Sequence, residues 1–395
     1  MPFALYLLAL AVFVMGTSEF MLAGLLPAIA ADLAVSVGAA GLLTTAFALG
    51  MVVGAPLMAA FARRWPPRRT LLVCLLVFAG CHVISAVTSV FAVVLVGRVV
   101  AALANAGFLA VALATATNLV AEDRKGRAVA VLLSGTTLAM VGGVPAGALV
   151  GAALGWRATF WAVGLLCVPA AVGILRGVAN TAAGDGGVPA LAAELRQLRE
   201  PGLALAMAVG ALVNGGTFAA FTFVAPLVTE SAGLGEVWVS VVLVLFGVGS
   251  FLGVTIAGRM SDRQPGVVLA VGGPLLLAGW LALMVFAGSP AALFVLALAQ
   301  GISAFAVGGT VVALVLYAAT GAPTMGGSYA TAALNVGAAA GPALGAAGLA
   351  LGFGVSAPVG AAAALTATAL VAAFAGRRCV LPGAARPRVS GGLHR

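Results

Sequence analysis

Twelve runs of about twenty apolar residues, separated by short polar connections, limit the folds open to this chain more than any other feature of it. Twenty residues of helix rise far enough to cross the hydrocarbon core of a bilayer, and a backbone inside lipid must satisfy its own hydrogen bonds. The runs fall at residues 3–25, 38–61, 70–88, 91–119, 129–151, 158–176, 203–228, 237–258, 266–287, 291–317, 324–350 and 354–376. Composition agrees: 63% of the 395 residues are hydrophobic and only 7% are charged, whereas a soluble domain carries about 25% charged residues. The 54 glycines and abundant alanine suit helices that approach closely in lipid, where apolar burial gives no drive for association. Short alternating strands in even spacing, the signature of an outer-membrane barrel, are not part of the pattern. The expected fold class is an all-α integral membrane protein of twelve spans.

The first run, "MPFALYLLALAVFVMG", has no basic leader and no clear cleavage site, so it reads as a retained span and not a secretory signal. Orientation follows from Lys and Arg, which accumulate in cytoplasmic connections. With the amino terminus inside, 17 of the 19 basic residues are cytoplasmic, including "RRWPPRR", "EDRKGR" and five in the tail. Arg157 alone is outside and Arg98 lies within a span. The net charge of +9 is thus topological, and a nucleic-acid partner has no support. Both termini are expected on the cytoplasmic side of the cell membrane.

Residues 177–202 form the longest polar connection and come after six spans. Within them "VPALAAELRQLRE" has the period of a short amphipathic surface helix, with Leu191, Leu195 and Leu198 on one side. The chain therefore divides into a bundle at 1–176, this linker, a bundle at 203–376 and a tail at 377–395. The bundles are weak copies. A shift of 199 residues carries Arg64 onto Arg263, Pro66 onto Pro265, Pro27 onto Pro226, and "RVVAAL" from Arg98 onto "ALAQGI" from Ala297. Repeats of this kind place a substrate site between two halves near the bilayer midplane.

Of the ten acidic residues only Glu19, in "GTSEFMLAGLLP", falls inside a span. A helix rise of 1.5 Å per residue puts it about 24 Å along the first span, and Arg98 about 10 Å below the outer surface on the fourth. Their depths agree, so they are candidate partners if those spans adjoin. Intramembrane charges face a partner, a bundle interior or a water-filled path. Two readings stay open: a fixed ion pair, or a carboxylate that takes up and releases a proton as its hydration changes. The four cysteines and two histidines make no metal-ligand or disulfide pattern, and His82 reads as a packing residue. No metal or cofactor is expected beyond a coupling proton, and no phosphate-binding loop for an ATP motor occurs.

Several motifs then carry a family resemblance. The loop "GRMSDRQPG" after the eighth span resembles the signature loop of the major facilitator superfamily, with Gly258, Asp262 and Arg263 in the matching places. The resemblance implies that the glycine permits close helix contact and that the Asp and Arg latch the two halves on the cytoplasmic side. In the first-half copy Arg63 replaces the aspartate, while Arg64 keeps the arginine. "GTTLAMVGGVPAGALVGAALGW" resembles the glycine-proline motif of drug:proton antiporters, centred on Gly143, Pro145 and Gly147; small residues every four positions also suit plain packing. "LVGRVVAALANAG" resembles the fourth-helix motif of proton-coupled branches, with Arg98 present and Ala101 and Ala102 where Gln and Gly are usual. "GTSEFMLAGLLPAIAADL", "GWRATFW" and the chain as a whole look like the drug:proton antiporter-1 branch and its actinomycete chloramphenicol exporters.

The resemblance implies the major facilitator fold and a monomeric exporter, not an enzyme, that exchanges protons at Glu19 and Arg98 for a small hydrophobic drug. Chloramphenicol is the expected substrate. A mostly apolar cavity with a few polar groups suits such a molecule. Candidate cavity residues are Met21 and Asn105 in the first half, and Asn214, Phe218, Phe221, Tyr329 and Asn335 in the second. Phe218 and Phe221 share a helix face; each aromatic has packing or lipid contact as its alternative role, and each amide a bond across the bundle. An exporter of sugars or other metabolites on the same scaffold, and a receptor or channel without active transport, are the competing readings. The first would have more Asn, Gln, Asp and Trp in the cavity; the second would not move a solute against its gradient.

Overall fold

The computed structural model describes residues 2–61, 65–120, 125–178, 191–260, 264–319, 321–322 and 325–376. Among them twelve helical spans are long and apolar enough to cross a membrane, close to the twelve hydropathy runs. The first six spans are built from α1 (Phe3–Phe20) and α2 (Leu26–Asp32), α3 (Val37–Phe61), α4 (Pro67–Val87), α5 (Phe91–Asn118), α6 (Lys125–Leu138) and α7 (Val144–Leu154), and α8 (Trp156–Gly177). A short linker helix, α9 (Leu191–Arg196), precedes the rest. The second six comprise α10 (Pro201–Thr222) and α11 (Val224–Pro226), α12 (Val237–Met260), α13 (Pro265–Phe286), α14 (Pro290–Ala318), α15 (Gly326–Ala350) and α16 (Ala357–Ala375).

Proline opens α4, α10, α13 and α14, where the first turn has no use for the missing N–H. Elsewhere proline interrupts. Before Pro27 the first span tightens into a 3₁₀ turn, Met21–Gly24, and then restarts as α2. The seventh span breaks at the copy of that site, where α11 ends at Pro226 and a π turn follows over Leu227–Ser231. The fifth span carries a π turn, Ala139–Gly143, directly ahead of Pro145. A proline has no N–H for the carbonyl four residues back, and changing the local helical register accommodates the loss.

The outer surface of the bundle is apolar: Leu76 is 61% exposed and Leu165 64%, which is the reverse of a soluble protein and suits contact with lipid tails. Inside, backbone meets backbone. A side chain on Gly337 or Gly341 of α15 would collide with the carbonyls of Ala211 and Gly215 on α10. These small residues replace apolar collapse as the means of holding helices together.

Two seams join the six-helix groups. In one, the Thr45 hydroxyl on α3 donates to the Ala339 carbonyl on α15 at 3.0 Å, and Ala48 packs against Ala338 and Ala339. In the other, a Cβ on Gly247 of α12 would stand 2.7 Å from the Met140 carbonyl in the fifth span. Both seams lie from mid-depth toward the face remote from the linker. At that face Arg157, the arginine expected outside, pairs with Asp32, donates to the Thr88 carbonyl at 2.9 Å and stacks on Trp156, whose indole also donates to Asp32 at 2.9 Å. One arginine thus ties three connections. At the opposite face the linker carbonyl of Glu194 accepts a bond of 2.8 Å from Tyr329. Leu195 and Leu198 of the linker are 42% and 38% exposed.

Candidate functional site

Glu19 is in the last turn of α1, immediately before the helix tightens toward Pro27. The preceding residue, Ser18, is completely buried and receives two partners from other spans. From α4, His82 places Nε2 2.6 Å from the Ser18 hydroxyl while Nδ1 is 2.8 Å from the Phe78 carbonyl. A carbonyl only accepts, so Nδ1 holds the proton and Nε2 accepts from the serine in the neutral ring. From α5, Arg98 donates through one terminal nitrogen to the Ser18 carbonyl at 3.0 Å and to its hydroxyl at 2.9 Å. Its other terminal nitrogen lies 3.5 Å from the Glu19 carbonyl. The chain of bonds therefore runs from arginine through serine to histidine.

Arg98 is 1% exposed, and its guanidinium carbon stands 4.3 Å over the Phe47 ring of α3. Oxygen dipoles on one side and an aromatic face on the other offset the cost of burying this charge. The first and fourth spans do adjoin, as agreement in depth requires. Yet among the described residues the arginine closes no ion pair with the Glu19 carboxylate: its hydrogen bonds go to the backbone and hydroxyl of α1. Glu19, a partly buried residue, has its carboxyl group within the field of Arg98 and within hydrogen-bonding reach of Asn105. Asn105 also approaches the Met51 sulfur at 3.7 Å. A carboxyl group in this setting can change its protonation without dismantling the arginine's own bonds.

The residue after Glu19 leads into the second half. Phe20 and Phe218 have ring centroids 5.8 Å apart, and the row continues through Phe221 at 6.3 Å, Phe246 at 4.9 Å and Phe305 at 6.1 Å. The structure thus brings Glu19, Arg98 and Asn105 together and connects them to Phe218 and Phe221 through aromatic contact. The other expected cavity residues are placed differently. Met21 is fully buried in the first-half core, Asn214 donates to the Leu334 carbonyl across to α15 at 2.7 Å, and Asn335 donates to Thr331 of its own helix at 2.9 Å. Tyr329 lies apart from the row, at the linker.

Gly143 and Gly147 line the fifth span where it meets α1 and α8: a Cβ on Gly143 would strike Thr17, and one on Gly147 would touch Thr159 at 3.3 Å. Pro145 sits just past the π turn. Among the described residues, no neighbour lies within 4 Å of where a Cβ on Gly258 would be. Arg64, Asp262 and Arg263 lie outside the described residues. Ser18, Phe47 and His82 are additions that the sequence pattern does not single out. Ser18 is a small residue beside a more conspicuous charge, and its two partners are 64 and 80 residues away.

The profile of the Major Facilitator Superfamily matches residues 8–324, which take in the first ten of the twelve spans. The chain belongs to the major facilitator superfamily. It is 61% identical over 377 residues to the chloramphenicol resistance protein of Streptomyces lividans, covering 95% of this chain and 96% of that one. It is 32% identical over 354 residues to the inner membrane transport protein YdhP of Escherichia coli K12, covering 90% of each. In fold it matches a bacterial homolog of the human lysosomal transporter Spinster in an inward-facing, occupied conformation. That match has TM-score 0.67 at 17% identity, over 94% of this chain and 96% of that one. The protein is therefore a multi-pass membrane transporter and not an enzyme.

Proposed function

We propose that this transporter is a proton-coupled antiporter that exports a small hydrophobic drug, chloramphenicol, and so confers resistance to it. The single observation that carries the coupling is the Glu19 carboxyl, held next to Arg98 and Asn105 at the break in the first span, with Phe20 beside it reaching Phe218 of the second half. The relationship to the Streptomyces protein over nearly the whole of both chains supports the substrate.

In this reading both termini are cytoplasmic, one chain forms the working unit, and the proton is the coupling ion with no other cofactor. Arg98 keeps its charge throughout. An ionised Glu19 cancels that charge and a protonated one leaves it uncompensated, so the two protonation states favour different packings of the halves. Drug reaches the aromatic row from the cytoplasm or inner leaflet. Its release outside is followed by proton uptake at Glu19, and proton release inside resets the cycle. The basic connections, with 17 of 19 Lys and Arg on one side, support this orientation.

The test is accumulation of labelled chloramphenicol in liposomes under an acid-inside gradient. The native protein is expected to accumulate drug as protons leave, and Glu19→Gln to bind drug without accumulating it. Accumulation by the Gln variant would make Glu19 a structural group; no accumulation by the native protein would overturn the substrate.

A further inference from the structure

His82 has no part in the transport cycle proposed above, yet it is buried, carries two polar nitrogens and touches the coupling cluster. Its ring is held in place by Phe78 at 4.3 Å and Phe160 at 5.5 Å. Nδ1 donates to the Phe78 carbonyl of its own helix at 2.8 Å, so the nitrogen facing the Ser18 hydroxyl at 2.6 Å is an acceptor. A doubly protonated ring does not fit this cluster. Its Nε2–H and Arg98 would both donate to one hydroxyl oxygen, and a second positive charge would stand beside a buried guanidinium.

The neutral ring therefore dictates where the serine proton points. Ser18 has one O–H, and with that proton committed to Nε2 its lone pairs are left to accept from Arg98 at 2.9 Å. Without the acceptor the hydroxyl is free to rotate and can turn its proton toward the guanidinium, which has only donors. The other constraints on Arg98 are two α1 carbonyls and the Phe47 face, and among the described residues its Nε has no hydrogen-bond partner. The repeat agrees with a link between the two side chains. Ala297 stands 199 residues beyond Arg98, and residues 203–376 contain no histidine.

We infer that His82 is a positioning residue for proton coupling: by accepting from Ser18 it turns that hydroxyl's lone pairs to Arg98 and so fixes the guanidinium beside Glu19. The inference rests on the proposed coupling role of Glu19 and adds to it a group that acts through Ser18 and Arg98. A functional constellation depends on such locked supporting bonds for its geometry, even where the fold survives their loss.

The experiment uses the full chain in liposomes. His82→Phe keeps a ring between Phe78 and Phe160 but removes the acceptor, while His82→Gln restores an acceptor oxygen without the ring. Gradient-driven chloramphenicol accumulation is expected to slow about tenfold in His82→Phe, with KM little changed, and to recover most of that loss in His82→Gln. A packing role alone predicts the opposite order, and finding that order, or native rates in His82→Phe, would overturn the proposal. A second arm needs no drug. The chain has two histidines, and His394→Gln leaves His82 alone to be observed by 15N spectroscopy of histidine-labelled protein. Nδ1 is expected to be protonated and Nε2 hydrogen-bonded, with the Nε2 resonance moving in Ser18→Ala and the Nδ1 resonance staying. An Nε2 resonance indifferent to Ser18→Ala would also overturn the proposal. If the native protein accumulates no chloramphenicol, the export reading falls and the 15N arm decides the role of His82 alone, as it does if His82→Phe fails to fold.

Discussion

Ser18 shows how a small side chain can organise larger ones. It accepts from Arg98 and donates to His82, so Ser18→Ala removes the link between both and leaves their buried nitrogens short of a partner. Loss of hydrogen bonds to a buried charged group costs about 1.5–3 kcal/mol, and a clear drop in the midpoint of thermal unfolding in detergent is expected. His82→Phe should be milder, because the ring still packs between Phe78 at 4.3 Å and Phe160 at 5.5 Å and only the polar bonds are lost. A His82→Phe protein less stable than Ser18→Ala would contradict this ranking. Arg98→Lys tests the fork itself: a lysine keeps the charge but cannot reach two α1 oxygens while presenting a flat face to Phe47. Loss of gradient-driven accumulation with the protein still folded is the expected result. The pair of charges was legible in the sequence because charge is rare among apolar residues and depth follows from counting. Which atoms of α1 the arginine would grasp was not, since that depends on how each helix is rotated about its axis. Tyr329 illustrates the same limit: its hydroxyl looks suited to a cavity, but the fold turns it to a linker carbonyl.

Among the helices, length and apolarity are properties of one segment at a time, and the twelve spans were accordingly legible to within a few residues. The breaks were less so. The hydropathy run at 203–228 reads as one helix, whereas α10 ends at Thr222 and the span changes register around Pro226. Close packing between helices makes a direct prediction about glycine. Gly341→Ala forces a methyl group against the Gly215 carbonyl of α10, backbone that cannot swing aside, and is expected to cost more than 2 kcal/mol, on the order of core overpacking. Gly308→Ala in α14 meets nothing within 4 Å and should be neutral or gain about 0.5–1 kcal/mol from helix propensity. Both are read from detergent unfolding curves, and equal effects at the two positions would contradict the packing described. The short linker helix was legible from its leucine spacing, but spacing alone does not say which neighbour that face meets.

Taken whole, the two six-helix groups have different interiors: the first buries Arg98 against Phe47, and the second has Ala297 at the position 199 residues further on. The transport cycle proposed here requires their seams to open. In a background without the native cysteines, Thr45→Cys with Ala339→Cys is expected to form a disulfide on mild oxidation, since the Thr45 hydroxyl already touches the Ala339 carbonyl at 3.0 Å. Liposome uptake should then stop and return on reduction; uptake that persists with the bridge intact would mean that this seam does not open. The tie made by Arg157, Asp32, Trp156 and Thr88 lies on the same remote face, which is extracellular in the proposed orientation. All four residues belong to the first six spans, so the tie can hold that half together from its outer rim while the seams beside it part.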